Sequence, residues 1–243
     1  MTTLQGKTVI ITGASSGIGE ATARELASKG AHVVIGARRL EKLEALASSL
    51  RENGASVAVQ QLDVTDLDQM RAIVQLAVDQ FGRVDAMVNN AGLMPLSPLA
   101  ALKIEEWNRM IDVNIRGVLH GIAAGLPVMK EQGVGHFINV ASIGAYEVTP
   151  TAAVYCATKY AVRAITDGLR QEVAGQGIRV TLVSPGVTES ELAETITDNE
   201  AKELMIEYRR TALPASAIAR SIAYALEQPA NIDVNEMVIR PRV

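Results

Sequence analysis

The stretch Thr8-Val-Ile-Ile-Thr-Gly13-Ala-Ser-Ser-Gly17-Ile-Gly19 passes from a β-branched strand pattern through a glycine-rich turn into a helix pattern. Glycines let the backbone come close to a pyrophosphate, and the N-terminus of the following helix offers amide donors and the positive end of its dipole. Because a second strand pattern follows that helix, the stretch predicts a dinucleotide-binding site. The expected cofactor-binding residues here are Gly13, Ser15, Ser16, Gly17, Ile18 and Gly19.

The same residues also match another motif. Gly13, Ser15 and Gly17 spell the G-x-S-x-G of a hydrolase nucleophile elbow, which likewise lies between a strand and a helix. A serine hydrolase acting through Ser15 needs an acid and then a histidine later in the chain. The last histidine is His136, far from any late loop, so the hydrolase alternative is disfavoured.

Around this stretch, short β-branched runs alternate with longer amphipathic runs. The predicted strands are Thr8–Thr12, Ala31–Gly36, Val57–Leu62, Ala86–Asn89, His136–Val140 and Arg179–Val183. The predicted helices are Gly17–Lys29, Leu40–Glu52, Leu67–Phe81, a long helix from about Glu105 to Glu131 with a kink at Pro127, and a helix carrying Tyr155 and Lys159. This alternation indicates an α/β fold, a doubly wound parallel sheet with helices on both faces. Ligands bind such sheets outside the carboxyl ends of the strands.

The composition bounds the class of protein. The chain has 243 residues, 48% of them hydrophobic, and no linker-like run, so residues 1–243 are predicted to form a single domain. A net charge of −4 and a pI near 5.5 argue against a nucleic-acid surface. No uncharged apolar run approaches the roughly 18 residues of a membrane span. No signal-peptide pattern opens the chain.

The cysteine and histidine content argues against a metal centre. A single cysteine, Cys156, excludes an internal disulfide and a cysteine metal cluster. The three histidines, His32, His120 and His136, show no ligand spacing. We therefore expect a cytoplasmic protein without a metal site.

The end of the second strand indicates which dinucleotide is preferred. An NAD-binding unit carries Asp or Glu there to hold the ribose 2′-hydroxyl, whereas this chain reads Gly36-Ala37-Arg38-Arg39. Two guanidiniums suit a 2′-phosphate, which they can hold with charge-assisted hydrogen bonds. Arg38 and Arg39 are therefore predicted to select NADP(H). The alternative is a solvated basic start to the second helix.

Two further strand ends carry candidate cofactor residues. Asp63 and Val64 follow the third strand, where a carboxylate and a backbone amide can read an adenine edge. Asn89-Asn90-Ala91-Gly92 follows the fourth strand; its asparagines can tie neighbouring loops together, and Ala91 and Gly92 let the backbone approach the cofactor. The alternative for both is an ordinary turn.

Tyr155 and Lys159 are four residues apart, so on a helix they lie on one face, one turn from each other. A free tyrosine has a pKa of about 10, and a cation beside the phenolate lowers that pKa, as a general acid or base requires. Ser142 ends a predicted buried strand and can meet Tyr155 across the strand-to-helix connection. The pair by itself also occurs by chance on amphipathic helices.

Together these residues resemble the short-chain dehydrogenase/reductase family over essentially the whole chain. The matching pieces, in the family's order, are Thr12–Gly19, Asp63-Val64, Asn89–Gly92, Asn114, Ser142, Tyr155 with Lys159, and Pro185-Gly186. The tail from Val234 to Pro241 is similar to an NADP-linked, broad-specificity subgroup that includes hydroxy-acid, serine and clavulanic acid dehydrogenases.

The resemblance implies a Rossmann-type sheet of strand order 3-2-1-4-5-6-7 and hydride transfer to or from a nicotinamide. It implies that Tyr155 donates or accepts the proton and that Lys159 holds the nicotinamide ribose and lowers the tyrosine pKa. Ser142 would then bond the substrate carbonyl, and Asn114 would anchor a water by distorting its helix. Pro185, Gly186, Thr188 and Ser190 would hold the carboxamide end. Family members usually carry threonine where Ser190 stands, and a hydroxyl is kept.

After this loop the composition changes. The stretch Glu189–Tyr208 is rich in acids, and we interpret residues of about 189–212 as a substrate lid of one or two short helices. Leu192, Ile196, Met205 and Tyr208 are expected on its inner face. With Met94, Tyr146, Ser142 and Tyr155 they would form a mostly apolar substrate pocket.

The expected function is that of an NADP(H)-dependent carbonyl reductase or alcohol dehydrogenase acting on a small or medium ketone, aldehyde or secondary alcohol. The alternative is a sensor that binds NADP(H) without turnover. Excess apolar residues on the helices from Glu105 and Val154, together with the family's habit of pairing these helices, predict a homotetramer.

Overall fold

The computed structural model describes residues 4–242 and is organised around one parallel sheet. Its strands are β1 (Thr8–Thr12), β2 (His32–Ala37), β3 (Val57–Gln61), β4 (Ala86–Asn89), β5 (Gly135–Val140), β6 (Ile178–Pro185) and β7 (Glu236–Ile239). Their order across the sheet is β3-β2-β1-β4-β5-β6-β7, and every pairing is parallel. The predicted Rossmann-type α/β fold and its strand order are confirmed.

Helices cover the sheet on both faces. They are α1 (Gly17–Ser28), α2 (Leu40–Glu52), α3 (Leu67–Phe81), α4 (Ile104–Ile111), α5 (Gly117–Gln132), α6 (Ala153–Glu172), α7 (Asn199–Tyr208) and α8 (Ala215–Glu227). The predicted bounds of α1, α2 and α3 differ from these by at most one residue, whereas α8 was not predicted from the sequence. Helix ends are set locally: Asp66 accepts hydrogen bonds from the first turn of α3, and Gly82 ends that helix in the left-handed region.

Alternation along the strands divides the core in two. Val9 and Ile11 of β1 face the layer of α1, α2 and α8, whereas Ile10 faces the layer of α3, α5 and α6. All three side chains are at most 1% exposed. A strand buried on both faces has no polar face, which is why the strands read as continuous apolar runs.

The long helix predicted from Glu105 to Glu131 is divided. A π-helical segment, Asp112–Arg116, separates α4 from α5. Pro127 lies within α5, and the change in helix type occurs at the π segment instead. A π segment contains one extra residue per turn and is frequent at functional sites.

Candidate active site

The site lies at the point where the order of the strands in the sheet reverses. β1 lies between β2 and β4, so the loops after β1 and β4 meet at one edge. Thr12 Oγ1 accepts hydrogen bonds from the amides of Asn90 and Ala91, both at 3.1 Å. Asn90 Nδ2 donates to the Thr12 carbonyl at 2.9 Å. The asparagine therefore ties the two loops together, as the sequence predicted.

The glycine-rich turn requires its glycines. Gly13 and Gly17 have φ of 68° and 57°, in the left-handed region. A Cβ on Gly13 would lie 2.8 Å from Cα of Ala91, and one on Gly19 would lie 2.4 Å from the Gly13 carbonyl oxygen. The turn can therefore pack this closely against the loop after β4 only without side chains. It leads directly into the N-terminus of α1, whose first amides have no partner within the helix.

A cavity of about 710 Å³ extends from this turn to the carboxyl ends of β5 and β6. Its lining includes the predicted cofactor residues Gly13, Ser15, Ser16, Gly17, Ile18, Arg38, Arg39, Asp63, Val64, Asn90, Ala91, Gly92, Tyr155, Lys159, Pro185, Gly186, Thr188 and Ser190. Gly19 lies behind the turn, against Gly13 and Asn90. These residues fit a dinucleotide: the cavity is continuous, and amides, hydroxyls and guanidiniums line one end of it.

The two arginines after β2 differ in their surroundings. The Arg39 guanidinium donates to the hydroxyls of Ser15 and Ser16, in each case at 2.9 Å from NH2. It also forms an ion pair with Glu191 at 2.6 Å. The Arg38 side chain is exposed and lines the cavity. Ala37 is buried at the end of β2, so that strand end holds no carboxylate.

Tyr155 and Lys159 lie on the buried face of α6. They are 8% and 5% exposed, although one is a phenol and the other an ammonium. Lys159 Nζ donates to the Val140 carbonyl at 3.1 Å and lies 5.8 Å from the centroid of the Tyr155 ring. Ser142, just after β5, hydrogen-bonds the Tyr155 side chain and accepts from the Gly144 amide at 3.1 Å. The structure thus brings the three residues together.

Burial changes the pKa of Tyr155 and the pKa of Lys159, and the change at Tyr155 is opposite to the one expected from the sequence. Removal from water raises the pKa of Tyr155 to about 12, and the hydrogen bond with Ser142 opposes this rise. Burial also lowers the pKa of Lys159 to about 8. The expected lowering of the tyrosine pKa by Lys159 is not found in this structure, because desolvation of the phenolate is the largest influence on that pKa and raises it. At neutral pH Tyr155 therefore holds its proton.

Asn114 lies in the π segment and is 1% exposed. Its Oδ1 accepts from the Leu93 amide at 2.8 Å, while Nδ2 donates to the Leu93 carbonyl and to Thr158 Oγ1. The distorted turn thus joins the loop after β4 to α6, next to Lys159. The predicted distortion of the helix is present, and both amide hydrogens of the Asn114 side chain are used within the protein.

The remaining cofactor candidates have local hydrogen bonds. Asp63 Oδ1 accepts from the Thr65 amide and hydroxyl, so the alternative of an Asx turn is present at that strand end. Thr188 donates to the Gly186 carbonyl at 2.9 Å. Ser190 caps the short 3₁₀ helix Glu191–Thr195 through a hydrogen bond from the Leu192 amide. The side chains of Asp63, Thr188 and Ser190 all keep additional hydrogen-bonding capacity.

The substrate candidates divide. Met94, Met205 and Tyr208 line the cavity with Ser142 and Tyr155. Tyr146 does not, and the expectation for it is corrected: its hydroxyl bonds Ser184 and Glu236, and its ring lies under Arg163. Leu192 lines the cavity, whereas Ile196 belongs to the neighbouring apolar core. A loop has no repeating pattern that shows whether a side chain points into the cavity or away from it. The sequence therefore could not place the side chain of Tyr146.

Several lining residues were missed by sequence reasoning. They include Leu93, Leu96, Ile143, Glu147, Thr149, Pro150, Thr151, Ala152, Glu191 and Leu204. Most belong to the connection between Ser142 and α6. Thr151 there has φ of 66°, a left-handed conformation that a β-branched residue rarely adopts, and its carbonyl accepts from the Ser97 amide at 3.0 Å. Strain of this kind clusters at functional sites, but only coordinates reveal it.

Residues 4–242 lack two kinds of feature. None of the helices there combines the length and hydropathy needed to cross a membrane. Within the same range, His, Cys, Asp and Glu side chains do not gather in a group of three or more that could hold a metal ion.

Comparisons with known proteins agree with this geometry. A family model described as short chain dehydrogenase matches residues 7–201. An uncharacterized oxidoreductase of Staphylococcus saprophyticus is 49% identical over 243 residues, covering 99% of this chain and 98% of the relative.

Solved structures share the fold. The alcohol dehydrogenase of the archaeon Thermococcus sibiricus, complexed with 5-hydroxy-NADP, is 31% identical with a TM-score of 0.86, covering 97% of this chain and 96% of its own. A short-chain dehydrogenase/reductase of Burkholderia phymatum, in complex with NAD, is 26% identical with a TM-score of 0.89, covering 98% and 90%. Similar proteins thus bind either nicotinamide dinucleotide. Since the family model and a nearly full-length relative both match, the chain belongs to the short-chain dehydrogenase/reductase family of oxidoreductases.

Proposed function

We propose that this protein is an NADP(H)-dependent carbonyl reductase or alcohol dehydrogenase for a small or medium ketone, aldehyde or secondary alcohol. The observation that carries the proposal is the group formed by Ser142 with the buried Tyr155 and Lys159, at one end of a cavity whose other end is the glycine-rich turn with Arg38 and Arg39. Burying a lysine and a tyrosine together disfavours their charged forms, which is uncommon without a functional reason.

The catalytic set is proposed to be Asn114, Ser142, Tyr155 and Lys159. When bound, the nicotinamide supplies or accepts the hydride. Tyr155, which is protonated at neutral pH, holds on Oη the proton that goes to the substrate oxygen. Ser142 Oγ orients the same oxygen. Lys159 Nζ would hold the nicotinamide ribose hydroxyls, and Asn114 positions the loop and α6 around them.

The adenosine end supports NADP(H) over NAD(H). Ala37 stands where a ribose-binding carboxylate would be needed, and Arg38 and Arg39 follow it, with Arg39 already held against Ser15 and Ser16. A guanidinium matches the geometry of a phosphate better than that of a ribose hydroxyl. A neighbour of the same family, from Thermococcus sibiricus, is complexed with 5-hydroxy-NADP.

The other end supports a mostly apolar carbonyl or alcohol substrate. Met94, Leu96, Leu204, Met205 and Tyr208 line it, and polar groups that fix orientation are few. We propose that residues of about 189–212 act as a lid over this end of a single domain of 1–243, whose residues 1–3 and 243 lie outside the described structure. Cytoplasmic location and a lack of nucleic-acid partners remain part of the proposal, on the acidic net charge and the single cysteine.

Two alternatives are weaker. A serine hydrolase through Ser15 lacks a base, because the Ser15 hydroxyl bonds Arg39, while His136 is buried against Thr181. Burial lowers the pKa of His136 to about 3. A sensor that binds NADP(H) without turnover has no use for a desolvated Tyr155 and Lys159 beside Ser142.

The test is an assay of NADPH and NADH oxidation with a reactive diketone, followed by a panel of ketones, aldehydes and secondary alcohols. We expect turnover, with a higher kcat/KM for NADPH. Arg38→Ala should weaken NADPH binding roughly tenfold or more and NADH binding little, since a hydrogen bond to a charged group contributes about 1.5–3 kcal/mol. Binding of NADPH without turnover of any substrate would favour the sensor. An equal or better kcat/KM for NADH would contradict the cofactor assignment.

A further inference from the structure

At the proposed adenosine end of the cavity, basic side chains already form ion pairs with a carboxylate of the protein. Glu191 Oε2 lies 2.6 Å from Arg39 NH1, and Glu191 Oε1 lies 2.6 Å from Lys42 Nζ. Glu191 is the first residue of the 3₁₀ helix Glu191–Thr195, within the segment of residues 189–212. The contact therefore joins that segment to the first turn of α2, far away in the sequence.

The Arg39 guanidinium that binds this carboxylate is held in its orientation by other hydrogen bonds. The other nitrogens of the Arg39 guanidinium donate to Ser15 and Ser16, so only NH1 is left to face Glu191. The hydrogen bonds from Lys42 and Arg39 lower the pKa of Glu191 to about 2, with the Lys42 bond contributing most. Glu191 is therefore an anion throughout the physiological range of pH.

A phosphate would require the same donors. Carboxylates and phosphates bind guanidinium and ammonium groups through similar charge-assisted hydrogen bonds. Arg39 and Glu191 both line the cavity, and Lys42 stands beside them. Two anions that share these cations would repel each other at contact distance, so the carboxylate and a phosphate exclude one another.

We propose that Glu191 is a built-in competitor for the 2′-phosphate of NADP(H), and that Arg39 with Lys42 forms the anion site for which the two compete. The inference rests on the proposed function. NADPH must displace Glu191, whereas NADH leaves it in place. Glu191 thus reduces the preference that the arginines create. It also links phosphate binding to the start of the lid, because Ser190, the neighbouring residue, holds Arg209 through its carbonyl at 2.8 Å.

The test compares Glu191→Gln with the wild-type protein by calorimetric titration of adenosine 2′,5′-bisphosphate and of ADP, which lacks the 2′-phosphate. Loss of two partly exposed ion pairs should tighten the bisphosphate about three- to tenfold and change ADP binding by less than about twofold. Fluorescence titration of NADPH and NADH should show the same contrast. Glu203→Gln, which removes one charge from an exposed site on α7, is the matched control and should change neither affinity.

Repeating the comparison in an Arg39→Ala protein tests whether the effect of Glu191→Gln acts through Arg39. In Arg39→Ala the gain from Glu191→Gln should shrink, because the shared cation is gone. Unchanged or weaker binding of the bisphosphate to Glu191→Gln would overturn the inference: unchanged binding would mean that Arg38 holds the phosphate alone, and weaker binding that Glu191 supports Arg39. These outcomes leave the proposed function standing, since it is tested by the wild-type preference and turnover. A bisphosphate that binds neither protein would overturn both.

Discussion

Lys159 is a cation held away from water, and its burial opposes folding while it serves the site. Its pKa falls from 10.5 in water to about 8 in the folded protein because the charged form is desolvated. Between these values the unfolded chain binds more protons than the folded one, so stability rises as pH increases from about 8 to 10.5. Below that window the folded protein carries the full cost of the buried charge.

Replacing this residue with methionine, which has similar length and no charge, should therefore stabilise the protein at pH 7. At about 1.36 kcal/mol per pKa unit the shift corresponds to roughly 3 kcal/mol. Loss of the hydrogen bond to the Val140 carbonyl offsets about 1 kcal/mol of this. Denaturant unfolding of Lys159→Met should show a gain of about 1–3 kcal/mol that disappears towards pH 10, together with loss of turnover.

Lys202→Met, at an exposed position on α7, is the control for that experiment and should leave the free energy of unfolding nearly unchanged. A Lys159→Met protein that is less stable than wild type at pH 7 would show that packing and the Val140 contact, and not desolvation, dominate at this position.

The substitution Tyr155→Phe removes the phenol hydroxyl, and with it the proton, while it keeps the rest of the site. The ring stays buried, so fold and cofactor affinity should be retained, while turnover should fall by at least the roughly 10² to 10⁴-fold that a positioned general acid contributes. Single-turnover kinetics with NADPH and a diketone measure the loss. More than a tenth of the wild-type rate, with chemistry rate-limiting, would exclude Tyr155 as the acid.

At the scale of elements, the segment of residues 189–212 is fastened to the body at several points. Thr197 bonds Lys103 and Glu106 at the start of α4, and the Met94 amide donates to Thr195 at 3.3 Å. The helix α7 follows these contacts in the chain, and Leu204, Met205 and Tyr208 on it line the cavity. This arrangement supports the proposal that the segment is a lid.

Met205→Ala and Tyr208→Ala should therefore change KM or the ranking of ketones without changing the preference between NADPH and NADH. Ile206→Ala is the matched control, because Ile206 lies on the same helix but is 70% exposed and outside the cavity lining. Kinetics across a varied ketone panel check this. Identical profiles for all three variants and the wild type would assign Met205 and Tyr208 to packing.

At the scale of the whole molecule, apolar side chains remain exposed on the long helices and on the edge strand. Ile104 is 55% exposed, Leu119 43%, Tyr160 40% and Val238 of β7 46%. Such surfaces on α4, α5, α6 and the sheet edge suit association with further copies of the chain.

We expect a homotetramer, and light scattering at micromolar concentration should give about four times the chain mass of 25.9 kDa. Leu119→Glu, which places a charge on the exposed side of α5, should shift the mass towards smaller species. A monomer mass for the wild-type protein would refute the assembly.

The sequence by itself determined the sheet and the positions of its functional loops. Continuous apolar runs and amphipathic runs with a period of 3.6 are local signals, and they located six strands and the helices α1, α2 and α3 to within a residue or two. Gly13 and Gly17 must adopt a left-handed backbone, and Tyr155 and Lys159 share a helix face. Each of these follows from residues within a few positions of one another.

The tertiary structure decided what depends on contacts between distant parts of the chain. The acidities of Tyr155 and Lys159 follow from burial by several elements, so the expectation based on their spacing gave the wrong direction for the tyrosine pKa. Tyr146 turns towards Glu236 on β7, and Arg39 meets Glu191 from the opposite end of the chain. Desolvation and ion pairs between distant residues depend on distances in the folded protein. A local repeat in the sequence does not contain these distances.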